Sequence, residues 1–377
     1  MRRRIVSLSL TSILLSSHVF ALPPSRTAHA SNGRTPPSAS SSAPPDLKQI
    51  GWLDVRVSPL FDLYYLARRH ATSDAQKIVG YEWLQEVVDA VRQLERDFGG
   101  RFTPLWSILD ANLMDCRDAA DAVRLFAQLS ETREFRGKQF PLRAGALRLA
   151  NALSVAEPQF RKLVWSKHKK IVDGAARMIR KEFKPKEQDC LAYISKSLRL
   201  GAPQKQLPLY LVAEAQYPGG FTYLLREGGR MSVVAVALNE GTLMLETVLH
   251  EAIHSLDGVG STGAQEGADA GSVLMELRER LRMAGVAERD VGDPAHLLIF
   301  IQAAETVRHV IDAKHKPYGE VAGVYEKLPR VNALVPVWVA HLDGKLTRED
   351  ALTQAVEKIA AATKAASSEK SNAPKQP

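Results

Sequence analysis

The segment from Thr242 to Leu256 most constrains how this 377-residue chain can fold. At about 100° per residue, with His250 at zero, His254 falls near 40° and Glu251 near 100°. Val248, Ala252, Leu245, Leu256, Leu249 and Ile253 fall between about 160° and 300°. The spacing predicts an amphipathic helix whose apolar stripe faces a core and whose opposite side carries both histidines. Gly258 and Gly260 suit its C-terminal stop. Residues four apart on a helix stand one above the other, so the imidazoles of His250 and His254 can reach one metal ion. Glu251 projects to the flank of the same face, where it could accept a proton from water.

A catalytic zinc takes three protein ligands, and the H-E-x-x-H run supplies two. The expected third is Glu305. On its own helical wheel Ile299, Phe300, Ala303, Ala304, Val307, Val310 and Ile311 form one apolar side, and Glu305, His309 and Asp312 share the other. A carboxylate on a helix otherwise buried in the core needs a partner, and a metal is a good one. The ordinary alternative is a solvated Glu305 or one paired with Arg308. Glu266 is the leading rival, followed by Glu276, Glu279 and His309. His296 lies opposite Glu305 on the wheel and reads as a structural histidine. Asp257 either holds the free N–H of His254 or caps the helix end. Tyr318 is the expected donor to a developing oxyanion, with His315 second.

The apolar fraction of 45% and charged fraction of 24% are those of a globular chain with ample material for a core. The net charge of +8 would suit a nucleic-acid partner until the N-terminus is parsed. Residues 1–30 read as a secretory signal, with Arg2, Arg3 and Arg4 as a basic start, a short apolar run from Ile5 to Leu15, and cleavage after Ala30 or Ala21. The run is too short to span a bilayer stably. Removing residues 1–30 takes away four Arg and no acidic residue, which leaves +4. Export to the periplasm or the medium is expected, with no nucleic-acid partner and no membrane span after cleavage. Residues 31–46 read as a disordered Ser/Pro-rich linker, and residues 365–377 as a disordered tail. Cys116 and Cys190 form either one disulfide or two separate buried thiols.

Organisation along the chain points to an α+β fold, mostly α. A short strand at 52–57 opens a mostly helical region, 47–200, with candidate helices at 58–70, 80–98, 118–129, 141–153 and 158–183. The character changes near Gly201. Strand-like runs at 207–213, 221–225 and 232–238 precede the histidine helix. Further helices are expected at about 266–284, 294–312, 330–341 and 347–364, closing a second region, 201–364.

On these residues the chain resembles the zincin metallopeptidases, in a gluzincin-like form. More closely it resembles uncharacterised exported bacterial proteins that pair H-E-x-x-H with a later F-x-x-A-x-E-x-V-R-R-type helix, here Phe300 to His309. The resemblance spans roughly residues 205–320, with a weaker echo at Val55–Leu66. It departs from the metzincin pattern at Asp257 and Gly260. It also departs from many gluzincins at His309, where they carry an aspartate. It implies one zinc ion held by His250, His254 and Glu305, with Glu251 as general base in hydrolysis of a peptide or protein substrate. No aminopeptidase-type G-x-M-E-N precedes the motif, which favours an endopeptidase. An extended substrate would then pair with the strand at Met231–Leu238. The competing reading is an envelope binding or scaffold protein that keeps the fold without turnover.

Overall fold

The computed structural model describes residues 51–72, 80–100, 105–114, 116–135, 137–216, 219–224, 230–238, 240–262, 271–327 and 332–372. The expected signal, the linker, Glu266 and the last residues of the tail lie outside them.

The chain enters through strand β1 (Leu53–Val57) and helix α1 (Pro59–Ala71). Ser58 stops the strand and starts the helix: its Oγ accepts from the Phe61 N–H, and Pro59 occupies the first helical position, where no N–H is needed. Helices α2 (Gln85–Asp97), α3 (Leu105–Met114) and α4 (Ala119–Ala127) follow, the last capped by Asp118. A small hairpin, β2 (Thr132–Phe135) with β3 (Lys138–Pro141), leads into α5 (Arg143–Phe160). This helix continues through a π turn at Arg161–Trp165 into α6 (Ser166–Met178), then through a second π turn and a short 3-10 turn into α7 (Glu187–Leu198).

Strands β4 (Leu207–Val212), β5 (Gly220–Leu224) and β6 (Arg230–Ala235) precede α8 (Thr242–Thr262), the histidine helix. Helices α9 (Val273–Met283), α10 (Glu288–Thr306), α11 (Leu334–Leu342) and α12 (Arg348–Asn372) complete the chain. The last of these runs past residue 364, so the expected disordered tail is helical as far as Asn372. Its Ala-, Lys- and Glu-rich sequence favours a helix more strongly than its polarity favours coil.

The protein is mostly helical with a small sheet, as expected. The sheet has the order β1-β4-β6-β5. β1, β4 and β6 run parallel, and β5 runs antiparallel to β6 at one edge. Side chains alternate between two cores, so the sheet is the middle of three layers. Leu209, Leu211 and Val234 face a core built by α6 to α12, with Val248, Leu249 and Leu298. Tyr210, Val212, Val233 and Phe221 face the other, built by α1 to α5, with Leu66, Trp106 and Leu153.

The regions 47–200 and 201–364 therefore share one sheet and do not separate at residue 200. β1 pairs with β4 across the division, and α6 and α7 contribute Val172, Cys190 and Ile194 to the core of the C-terminal helices. Buried polar groups reinforce the join. Asp62 on α1 accepts from the Ala213 N–H at 2.5 Å and meets His168 Nδ1 of α6 at 2.5 Å. Glu187 on α7 accepts from the backbone N–H groups of Trp52 and Leu53, both at 2.9 Å. The cysteines settle as two free buried thiols in opposite cores, Cys116 in one and Cys190 in the other. Burial pushes the Cys190 thiol up to about 12.

Candidate metal centre

Helix α8 lies under the sheet, between β5 and β6 on one side and α10 on the other. Its apolar stripe, Leu245, Val248, Leu249, Ala252, Ile253 and Leu256, is buried as the periodicity predicts. Its polar side is covered as well. Glu246, His250, Glu251 and Ser255 are all buried, because their partners come from β5, β6, α10 and the segment after α10.

The residue that joins His250 and His254 is His296, on α10. His250 Nε2 lies 3.0 Å from His296 Nε2 and 3.2 Å from His254 Nε2. One ligand atom from each of the three falls within 4.8 Å of the others. A tetrahedral site with metal–nitrogen bonds of about 2.0–2.1 Å would separate its ligand atoms by about 3.3 Å, close to the 3.0 and 3.2 Å from His250, while the His254–His296 pair lies within 4.8 Å. Burial, and next the neighbouring His254, holds His250 well below the ordinary histidine range. Burial, and next the charge of Arg278, brings His296 down to about 4. Neutral rings keep the lone pairs a cation needs. Converging lone pairs repel one another, and a cation among them removes that conflict. His250 Nδ1 is buried with no hydrogen-bond partner among the described residues. Phe300 closes the apolar side, its ring 4.1 Å from that of His250 and 5.0 Å from that of His296.

Glu305, the expected third ligand, does not join this cluster. Its carboxylate accepts from Arg308 Nε at 2.9 Å and from Arg308 Nη2, and it lies 3.5 Å from His309 Nδ1. The cause is local. Arg308 stands three residues on, along the same helical face, and offers a planar fork that a carboxylate fills. The three rivals among the described residues are committed too. Glu276 pairs with Arg199 and Arg280, Glu279 with Arg282, and His309 stacks on Tyr193. Asp257 accepts from Ser272 Oγ at 2.6 Å, a contact that ties the end of α8 to the start of α9.

Tyr318, through its backbone, and His315, through its ring, are both tied to helix α8. Both engage Glu246, one turn before His250. His315 Nε2 lies 2.7 Å from Glu246 Oε2, and His315 Nδ1 lies 2.9 Å from Thr242 Oγ1. The Tyr318 backbone N–H donates to Glu246 Oε2 at 2.9 Å. These contacts fasten the segment after α10 onto α8.

Glu251 faces the sheet. Thr222 Oγ1 donates to Glu251 Oε2 at 2.6 Å, and Ser232 Oγ donates to the Glu251 carbonyl at 3.2 Å. Oε1 faces Gly220, where a Cβ would stand only 2.5 Å from it, so glycine at 220 leaves room for the carboxylate. Burial raises the Glu251 carboxyl to about 7, against the lowering effect of the Thr222 hydroxyl. The strand carrying Gly220 and Thr222 is one edge of the sheet. β6 is paired on both sides, by β4 and by β5, so Met231–Leu238 cannot receive an added strand as expected; the edge on this side belongs to β5.

Comparison with protein-family models, curated proteins and solved structures gave no match.

Proposed function

We propose that the protein is a zinc-dependent hydrolase, most simply a metallopeptidase, whose metal is held by His250, His254 and His296. The observation that carries this reading is the convergence of His296, from a separate helix, on the H-E-x-x-H pair. When bound, zinc supplies Lewis acidity at the scissile carbonyl and brings the pKa of water toward neutrality. The chain's own residues would do the rest. Glu251 takes the proton of the attacking water and returns it to the leaving amine, a task suited to a carboxyl raised to about 7 by burial. Thr222 fixes one carboxylate oxygen, and Gly220 preserves the space for the other. An extended peptide laid along the open edge of β5 would pair with its backbone beside Glu251. Three neutral nitrogens leave a bound zinc with its full positive charge, whereas a carboxylate ligand would offset part of it.

The test is direct. Purified protein is assayed for zinc by elemental analysis and for hydrolysis of a mixed peptide library, beside Glu251→Gln. Near-stoichiometric zinc in both proteins, with hydrolysis only in the parent, is the expected result. Loaded protein that cleaves no peptide in the library would remove the peptidase reading.

A further inference from the structure

The chain's excess positive charge is concentrated on one helical stretch. From Arg161 to Lys186 there are ten Lys or Arg and two acidic residues, a net +8 that equals the net charge of the whole chain, so the remaining residues balance. This stretch is continuous through its two π turns. Its inner side, with Val164, Val172, Ala175, Ile179 and Phe183, is buried. Several basic groups are neutralised: Arg161 by Glu157, Lys169 by Asp173, Lys181 by Glu182 and Lys184 by Glu187. Lys162, Lys167, Lys170, Arg177 and Arg180 are exposed and have no acidic partner among the described residues. Within α6, Lys167, Lys170 and Arg177 fall inside an arc of roughly 80°, opposite His168, Val172 and Ala175.

We propose that this ridge docks the protein onto an anionic lipid surface. Geometry favours a plane over a nucleic acid. The ridge is the outer side of a helical stretch about 39 Å long at 1.5 Å per residue, so a flat surface can meet its charges together. Single-stranded nucleic acid is held in basic grooves with aromatic platforms, and no aromatic residue from Arg161 to Lys186 is exposed. Among the flanking residues Leu163 is 59% exposed beside Lys162, an apolar contact suited to the headgroup boundary. The inner side is occupied by the core, so attachment is electrostatic and needs no unfolding of the helix. α6 packs against β1 and β4, at the opposite edge of the sheet from β5. Docking through it leaves the β5 edge open.

The experiment is co-sedimentation with vesicles of neutral phosphatidylcholine and of phosphatidylcholine containing phosphatidylglycerol, at low and high salt. The parent should bind only the anionic vesicles and release at high salt, since the Debye length shrinks from about 10 Å at 0.1 M to 3 Å at 1 M. The triple variant Lys167→Gln, Lys170→Gln, Arg177→Gln should bind roughly a hundredfold more weakly, at about fivefold per basic residue near the surface. Its circular dichroism and zinc content should match the parent's, which separates this result from any failure of the metal site. If the triple variant misfolds, the single Lys170→Gln should show the fivefold loss alone. Equal binding by parent and folded variant overturns the proposal. So does tighter binding of a DNA duplex than of vesicles, measured by fluorescence anisotropy and lost in the variant, which would assign the ridge to nucleic acid.

Discussion

His250 Nε2 and His296 Nε2 lie 3.0 Å apart across 46 residues of chain. Two neutral imidazoles at that distance are either joined by one N–H···N bond or by something placed between them. The third nitrogen, His254 Nε2 at 3.2 Å from His250, makes a shared cation the simpler arrangement.

The first prediction follows from this triad. His296→Ala should weaken zinc binding by more than the roughly 10–100-fold typical of an outer-shell change, because it removes a ligand outright. Glu305→Ala should leave zinc affinity within about twofold and instead cost roughly 1–3 kcal/mol of stability, as Arg308 loses its acceptor. Competition with a chromogenic chelator measures the first quantity and denaturant unfolding the second. A large affinity loss in Glu305→Ala, with His296→Ala unaffected, would restore the glutamate as the ligand.

A second prediction concerns the carboxylate that the proposal makes the general base. Gly220→Ala places a methyl 2.5 Å from where Glu251 Oε1 now stands, so Glu251 must move. Zinc content should be unchanged while kcat falls by about tenfold or more, since an ångström of misplacement costs this much or more in an oriented reaction. Thr222→Val removes the hydroxyl that donates to Oε2 and should show a smaller loss of the same kind. Full activity in Gly220→Ala would show that the strand does not position Glu251.

The two histidines within the helix were legible because both follow from one period on one face. Val248, Ala252 and Leu256 had to be buried, and that turned His250 and His254 together toward the far side. The third histidine of the cluster was not legible, because a wheel ranks residues within a helix and says nothing about which helix meets which. His296 and Glu305 sit on opposite sides of α10, and only the packing of α10 on α8 decides between them. Arg308 was available to Glu305 in the sequence as an i,i+3 partner, the ordinary alternative to a metal. The four strands of the main sheet were found near their true positions, and the hairpin of β2 and β3 was not anticipated. Their order was not, because the parallel pairing of β1 with β4 depends on contacts 154 residues apart, such as Val55 opposite Leu209. For the same reason the sheet edge was misplaced from β5 to β6.

Asp62 supplies a third prediction. It bonds the backbone of Ala213 just after β4 and meets His168 on α6, tying elements from both cores. Asp62→Ala leaves a buried N–H and a buried imidazole without their acceptor, at a cost of about 3 kcal/mol. Unfolding by denaturant should remain one cooperative transition in the parent, with Trp106 of one core and Trp338 of the other lost together. Two resolved transitions in the parent would mean that the layers are independent.

The fourth prediction is a pH dependence set by Asp110. This carboxyl lies 3.4 Å from Arg68 Nη1 and accepts from the Tyr65 hydroxyl at 3.2 Å, under the Trp106 ring that stacks 4.6 Å from the guanidinium. Burial is the larger influence and raises it to about 6, while the charge of Arg68 pulls the other way. The unfolded chain holds the same proton with a pKa near 3.9. Between those values the folded protein is protonated and the unfolded chain is not. The stabilisation is therefore present in full below about pH 4 and is lost as pH rises through 6. Asp110→Asn has no such proton to lose. Thermal unfolding of both proteins should accordingly show the parent losing ground to the variant from pH 4 to pH 7, by up to about 3 kcal/mol. A parent that instead gains on the variant over that range would mean that Arg68 overcomes burial, and that Asp110 is an ionised partner throughout.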